Sequence, residues 1–137
     1  MVRIETVIER RGGVATTAHL LAAAIHPQVL RMWIHDRAIR VRRGVWASRD
    51  APSDGVRALQ AGGRLGCVSA VAYWAGVASS SAALHVCLPA NAKGPLGNTS
   101  DIVIHWSRAD LGGDPFAVSV PVARAQMARC GAVERYP

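Results

Sequence analysis

The chain has 137 residues, half of them hydrophobic, with a formal net charge of +7 and a pI near 10.6. It is too apolar for general disorder and carries enough apolar residues for one domain or two small ones. The charge puts polyanions first among partners, whether DNA, RNA or an acidic membrane face. The charge is concentrated early: up to Asp50 there are nine arginines against four acidic residues, and from Ala51 onward seven basic residues against five acidic ones. No apolar run approaches the ~18 residues of a membrane span, and the amphipathic start, with Glu5 and Glu9, lacks the apolar core of a signal peptide. Cys67, Cys87 and Cys130 are odd in number and widely spaced, which points to buried thiols in a reducing cytoplasm.

In chain order, Ile4, Val7 and Ile8 mark one stripe of a first helix, stopped by Gly12-Gly13. Thr16 or Thr17 caps a second helix, on which Ala18, Leu21, Ala22 and Ile25 fall at helical spacing. Pro27 suits the first position of a third helix, running from about Pro27 to Arg37, with His26 at the cap. Leu30, Trp33 and Ile34, with Val29 at the margin, form its apolar stripe, and rotation by 100° per residue puts Gln28, Arg31, Met32 and His35 opposite. The period then becomes two: Ile39 and Val41 alternate with Arg40 and Arg42, Arg43-Gly44 turns the chain, and Val45-Trp46-Ala47 returns. Two short helices, a tight junction and a two-stranded ribbon make up a winged helix-turn-helix over about residues 1–50.

The segment Arg49 to Ser53 reads as a linker, and residues 51–137 as a small second domain of unassigned role. There, Ser53 or Asp54 caps a helix through Val56 and Leu59 that ends at Gly62-Gly63. A helix from Cys67 to about Trp74 has Cys67, Val71, Trp74 and Ala75 on one side and is closed by Gly76. Leu84–Leu88 and Ile102–Trp106 read as strands joined by the Gly-, Asn- and Pro-rich loop Pro89–Asp101. Asp110–Pro115 is a further turn, a last helix runs from about Val120 to Arg129, and Tyr136-Pro137 adds no closing element. The expected class is α+β: a winged helix-turn-helix followed by a small α/β region with two or more strands and flanking helices.

An α-helix fits the major groove of B-DNA. Gln28 suits adenine, Arg31 suits guanine bidentately, Met32 suits a thymine methyl, and His35 suits a phosphate or base edge. Arg40, Arg42 and Arg43 suit phosphate contact or minor-groove insertion. With Thr17 at the head of the second helix, these residues are the expected DNA-contact set. The bland alternative is a solvated basic face on a small α/β domain. Trp33 and Trp46 sit beside apolar positions and read as core. His19 reads as an exposed residue on the second helix. His85 and His105 read as surface residues paired across neighbouring strands, and no spacing suggests a metal site. Cys67 opens a helix, whose dipole lowers a thiol pKa, but it also fits the apolar stripe, and burial is the preferred reading. The carboxylates are scattered, and neither a phosphate loop nor G-x-S-x-G is present, so no catalytic site and no cofactor are expected.

The segments GGVATTAHLLAAAI and AIRVRRGVWAS, with a short helix between them, resemble the N-terminal winged-helix domain of the AbiEi family of antitoxins, in its actinobacterial form. LGCVSAVAYWAG, LHVCLP and IVIHWSR are similar to the region that follows it, so the likeness covers about Ile4 to Arg108. It implies a transcriptional repressor that binds operator repeats in double-stranded DNA and opposes a nucleotidyltransferase-like toxin without a stable complex; independently, a single recognition helix reads only a short site, so specificity calls for repeated half-sites or self-association on DNA. Longer relatives continue into a nuclease-like domain for which this chain has no room. The alternatives are a phage or mobile-element repressor, a winged-helix protein-interaction module and, last, a nuclease remnant.

Overall fold

The computed structural model describes residues 3–79, 81–107 and 112–130. Among them the chain is mixed α/β, with six helices and two three-stranded sheets. It divides into two compact units, 1–52 and 53–137. No helix among the described residues is long and apolar enough to cross a membrane.

The first unit runs α1 (Ile4–Arg10), β1 (Val14–Thr16), α2 (Thr17–Ala22), α3 (Pro27–Arg37), β2 (Ala38–Arg42) and β3 (Val45–Ser48). Gly12 and Gly13 take φ of +81° and +101°, which ends α1 and turns the chain into β1. The three strands form an antiparallel sheet in the order β1-β3-β2, with Ala15 opposite Trp46 and Ile39 opposite Ala47. Ile4, Ile8, Ala15, Leu20, Ile25, Leu30 and Trp33 make the core, with Trp46 and Ile34 packed against it. Trp33 therefore belongs to the apolar interior, and Trp46, half-buried, packs against it.

α2 departs from its expected pattern. Leu20 is fully buried, whereas Ala18, Leu21 and Ala22 are exposed. The helix has only six residues, so the period does not carry through to Ile25. Instead Ala24 turns left-handed at φ +65°. Ile25 N–H then donates to Leu20 O and Ala24 N–H to Leu21 O, which closes α2 as a Schellman motif with the Leu20–Ile25 contact beneath it. Glycine is the usual residue at that position, because a Cβ there costs about 1–2 kcal/mol. Ala24→Gly should therefore raise stability by up to about 1 kcal/mol, after the added freedom of the unfolded chain is offset; a lower midpoint in urea would contradict this account of the junction.

The second unit contains α4 (Ser53–Gln60), β4 (Arg64–Leu65), α5 (Cys67–Ala75), β5 (Leu84–Pro89), β6 (Ile102–Ser107) and α6 (Val120–Cys130). β5 is the central strand, antiparallel to β4 and parallel to β6. Its residues Leu84 to Leu88 are all buried, His85 included, as in a strand covered on both faces. α5 is buried from Cys67 to Ala72 rather than along one stripe. Its Trp74 is 42% exposed, with the indole N–H donating to Val118 O at 2.8 Å. Gly76, at φ +71°, closes that helix. Gly63 is dictated by space: a Cβ there would lie 2.3 Å from the carbonyl oxygen of Cys87 on the neighbouring strand. Asp110, at the start of an expected turn, and Tyr136-Pro137 lie outside the described residues.

Candidate functional site

α3 begins where the sequence placed it. Pro27 occupies the first turn, where a missing N–H costs nothing. His26 caps the helix, its Nδ1 accepting from Gln28 N–H at 3.1 Å. Leu30 and Trp33 point into the core and Ile34 is half-buried, which leaves Gln28, Arg31, Met32 and His35 exposed together on the outer face. Val29, expected at the edge of the apolar stripe, is 51% exposed and Met32 60%. His35 Nδ1 lies 2.8 Å from the Asp36 carboxylate, both side chains at the surface, where such a pair contributes little. On its other flank α3 borders an open groove against α1, between Glu5, Val29, Met32 and Asp36, of about 490 Å³.

β2 and β3 are joined by Arg43-Gly44, with Gly44 at φ +74° and nothing within 4 Å of the Cβ it lacks. Glycine is needed there for backbone conformation, not for room. The register shifts between Arg40 and Arg42, so Val41 is the extra residue of a bulge. Val41 is buried, while Arg40, Arg42 and Arg43 are exposed, so the bulge and the turn carry three guanidinium groups to the surface of one hairpin.

Thr17 sits at the head of α2. Its hydroxyl oxygen accepts from the Trp46 indole N–H at 2.9 Å, and its N–H donates to Gly44 O at 2.9 Å. It ties the head of α2 to the hairpin. His19 is half-buried, not simply exposed: Thr16 Oγ1 accepts from His19 N–H at 3.0 Å and His19 Nδ1 accepts from Thr16 N–H at 3.3 Å. This is a capping box with histidine in the place usual for glutamate.

A second constellation appears in the other unit, where none was expected. Parallel pairing sets His85 beside Val103 and Cys87 beside His105, and the alternation of side chains along a strand then puts both histidines on one face of the sheet. His85 Nδ1 and His105 Nε2 lie 3.0 Å apart. His85 is buried, so it is not the surface residue its place in the strand suggested. Burial lowers the pKa of both histidines, and for His105 the neighbouring His85 and Arg129 lower it further; both imidazoles are neutral near pH 7. Cys130 Sγ is 3.9 Å from His85 Nδ1, and Cys67 completes a group of four whose donor atoms all lie within 4.8 Å of one another. The Cys67 thiol is pushed up to about 11, chiefly by burial, so burial outweighs any lowering from its place at the head of α5. Cys130, unlike Cys67 and Cys87, is exposed, which corrects the expectation of three buried thiols. The separations from 67 to 85 to 105 to 130 follow no familiar ligand spacing. The one available signal was His85 and Cys87 facing the same way on a strand beside a second strand carrying a histidine.

No protein-family model matches the chain, and a search of curated proteins returns no match either.

Proposed function

We propose that the first unit is a winged helix-turn-helix that binds double-stranded DNA, with α3 in the major groove and the β2–β3 hairpin as an arginine-bearing wing. The carrying observation is the element order α1-β1-α2-α3-β2-β3 with an antiparallel β1-β3-β2 sheet, which leaves one face of α3 and the hairpin arginines exposed. α3 has eleven residues, about 16 Å of helix, enough to lie across a groove about 12 Å wide. Gln28 and Arg31 read base edges, Met32 and His35 flank them, and Arg40, Arg42 and Arg43 hold phosphates. The excess of arginine up to Asp50 supplies the long-range attraction. The biological role proposed with it is transcriptional repression of the AbiEi type, on repeated half-sites, since a single recognition helix reads only a short sequence.

Mobility shift with the DNA upstream of the gene tests this. Binding should weaken steeply as salt rises, because each phosphate neutralised releases counterion. Arg42→Ala and Arg43→Ala should weaken binding to every sequence and reduce the salt slope by about one each. Gln28→Ala or Arg31→Ala should instead relax preference at particular base pairs, by about 1–3 kcal/mol. No shift at low salt with excess protein would sink the reading, and equal losses on operator and random DNA after Gln28→Ala would remove α3 from the groove. The exposed Val29 and Met32 beside the groove against α1 favour the second reading, a protein-interaction module; retained function in Arg42→Ala with loss in Met32→Glu would select it.

A further inference from the structure

We propose that Cys67, His85, His105 and Cys130 form a closed tetrahedral site for a zinc ion, which fastens α5, α6 and the β5–β6 pair of the second unit to one another. Four donors come from four different elements, and their ligand atoms all lie within 4.8 Å of one another. With bonds of about 2.0–2.1 Å to nitrogen and 2.3 Å to sulfur, tetrahedral zinc places nitrogen donors about 3.3 Å apart and sulfur donors about 3.8 Å apart. The observed 3.0 Å between His85 Nδ1 and His105 Nε2, and 3.9 Å between Cys130 Sγ and His85 Nδ1, need only shifts of a few tenths of an ångström. Two thiolates with two imidazoles suit zinc rather than calcium or magnesium, which take oxygen donors.

Three surrounding features are those of a built site. His85 Nε2 lies 3.3 Å from Ser81 Oγ; with Nδ1 on the ion, the proton sits on Nε2 and the hydroxyl accepts it, the usual outer support of a metal-bound histidine. Gln126, 2% exposed, accepts the Cys67 N–H at 2.9 Å through Oε1. It lies one helical turn before Cys130 on α6, so the same bond that holds Cys67 also sets the rotation of α6 that faces Cys130 toward it. Cys67 itself stands at φ +52°, a left-handed conformation that costs a side-chain-bearing residue energy and clusters at ligand clamps. The charges close as well. A divalent cation displaces one proton from each thiol, both protons pass to solvent, and two thiolates with two neutral imidazoles leave the metal and its four ligands with no net charge. All four positions are filled by protein, so the site is structural and leaves no position for a substrate. Exposed Cys130 gives the ion its way in.

The test uses the full chain, purified under reductant and without chelator. It should carry about one zinc per chain by elemental analysis, and replacement by cobalt should give the strong visible bands and sulfur-to-metal charge transfer of a tetrahedral thiolate site. Cys130→Ser is the first variant, because Cys130 is exposed and the chain should fold with serine there. With folding checked by circular dichroism, it should lose metal affinity by more than the 10–100-fold typical of removing an outer hydrogen-bond partner. His105→Ala should do the same, and chelator should lower the melting temperature of the native chain but not of either variant. A folded native chain that takes up neither metal, a cobalt spectrum without thiolate ligation, metal content unchanged in both variants, or a Cys67–Cys130 disulfide in place of metal would each overturn the proposal. DNA binding is read out separately, so failure of that reading leaves this one standing.

Discussion

Trp33→Ala should destabilise the first unit by about 3–5 kcal/mol, the range for removing a buried aromatic side chain, and with it abolish any binding that depends on α3. Trp33 is 6% exposed and packs among Ile4, Ile8, Leu20 and Leu30, so alanine leaves a void beneath the helix. A unit of this size has roughly 3–8 kcal/mol of total stability, at about 0.05–0.15 kcal/mol per residue. The loss is therefore comparable to everything that holds α3 in place. Native-state hydrogen exchange locates the effect: amides of α1 and α3 should lose protection, while those of β5 in the second unit keep theirs. Unchanged protection in α3 would mean that the helix is held by something other than this core.

Gln126 should be at least as costly to replace, through a different mechanism. Gln126→Ala removes one of the largest fully buried side chains, orphans the Cys67 N–H that it accepts at 2.9 Å, and breaks its own donation to Cys87 Sγ at 3.3 Å. An orphaned buried donor costs about 1–3 kcal/mol, and the lost volume adds about 2–5 kcal/mol if the site relaxes as other large-to-alanine changes do. Gln126→Met separates the two contributions, since it keeps most of the volume and loses the acceptor. Its cost should fall in the lower range alone, read as the shift in urea midpoint at constant m-value. Equal losses for the two variants would assign the whole effect to the hydrogen bond. Gly66 adds a related constraint, since a Cβ there would lie 2.7 Å from Gln126 Oε1.

The parts of this architecture that were legible in the sequence are those specified locally. Pro27 with its apolar stripe determines the start and the inward face of α3, and Arg43-Gly44 between two alternating runs determines the hairpin. The runs around Val86 and Ile104 are apolar enough to read as strands without their partners. What escaped was short or assembled at a distance. β1 has three residues and β4 two, too few for any period to show, and each exists only because a longer strand lies beside it. The stripe assigned to α2 failed because Ala24 reverses the backbone after less than two turns, so Leu20 rather than Leu21 faces inward. The face of α3 that carries Gln28 and Arg31 was legible, but the occupation of Thr17 by the Trp46 indole was not, because that bond spans 29 positions. The Cys67–His85–His105–Cys130 group was the least legible of all. Its two histidines are brought together by a parallel strand pairing and its two cysteines by helices packed against it, and neither leaves a periodic trace in the sequence.

That parallel pairing also bears on the order in which the molecule is made. β2 and β3 meet across a two-residue turn, a closure that takes microseconds and needs nothing beyond the first fifty residues. β5 and β6 run the same way, so no hairpin can join them. The Cys67–Gln126 bond that ties α6 to α5 spans 59 positions and carries the entropy of a long closed loop. On the ribosome the first unit can thus acquire its arginine-bearing surface while the second is still waiting for α6 to emerge. A nascent chain halted before Val120 would carry a finished basic face and a second half without its last helix.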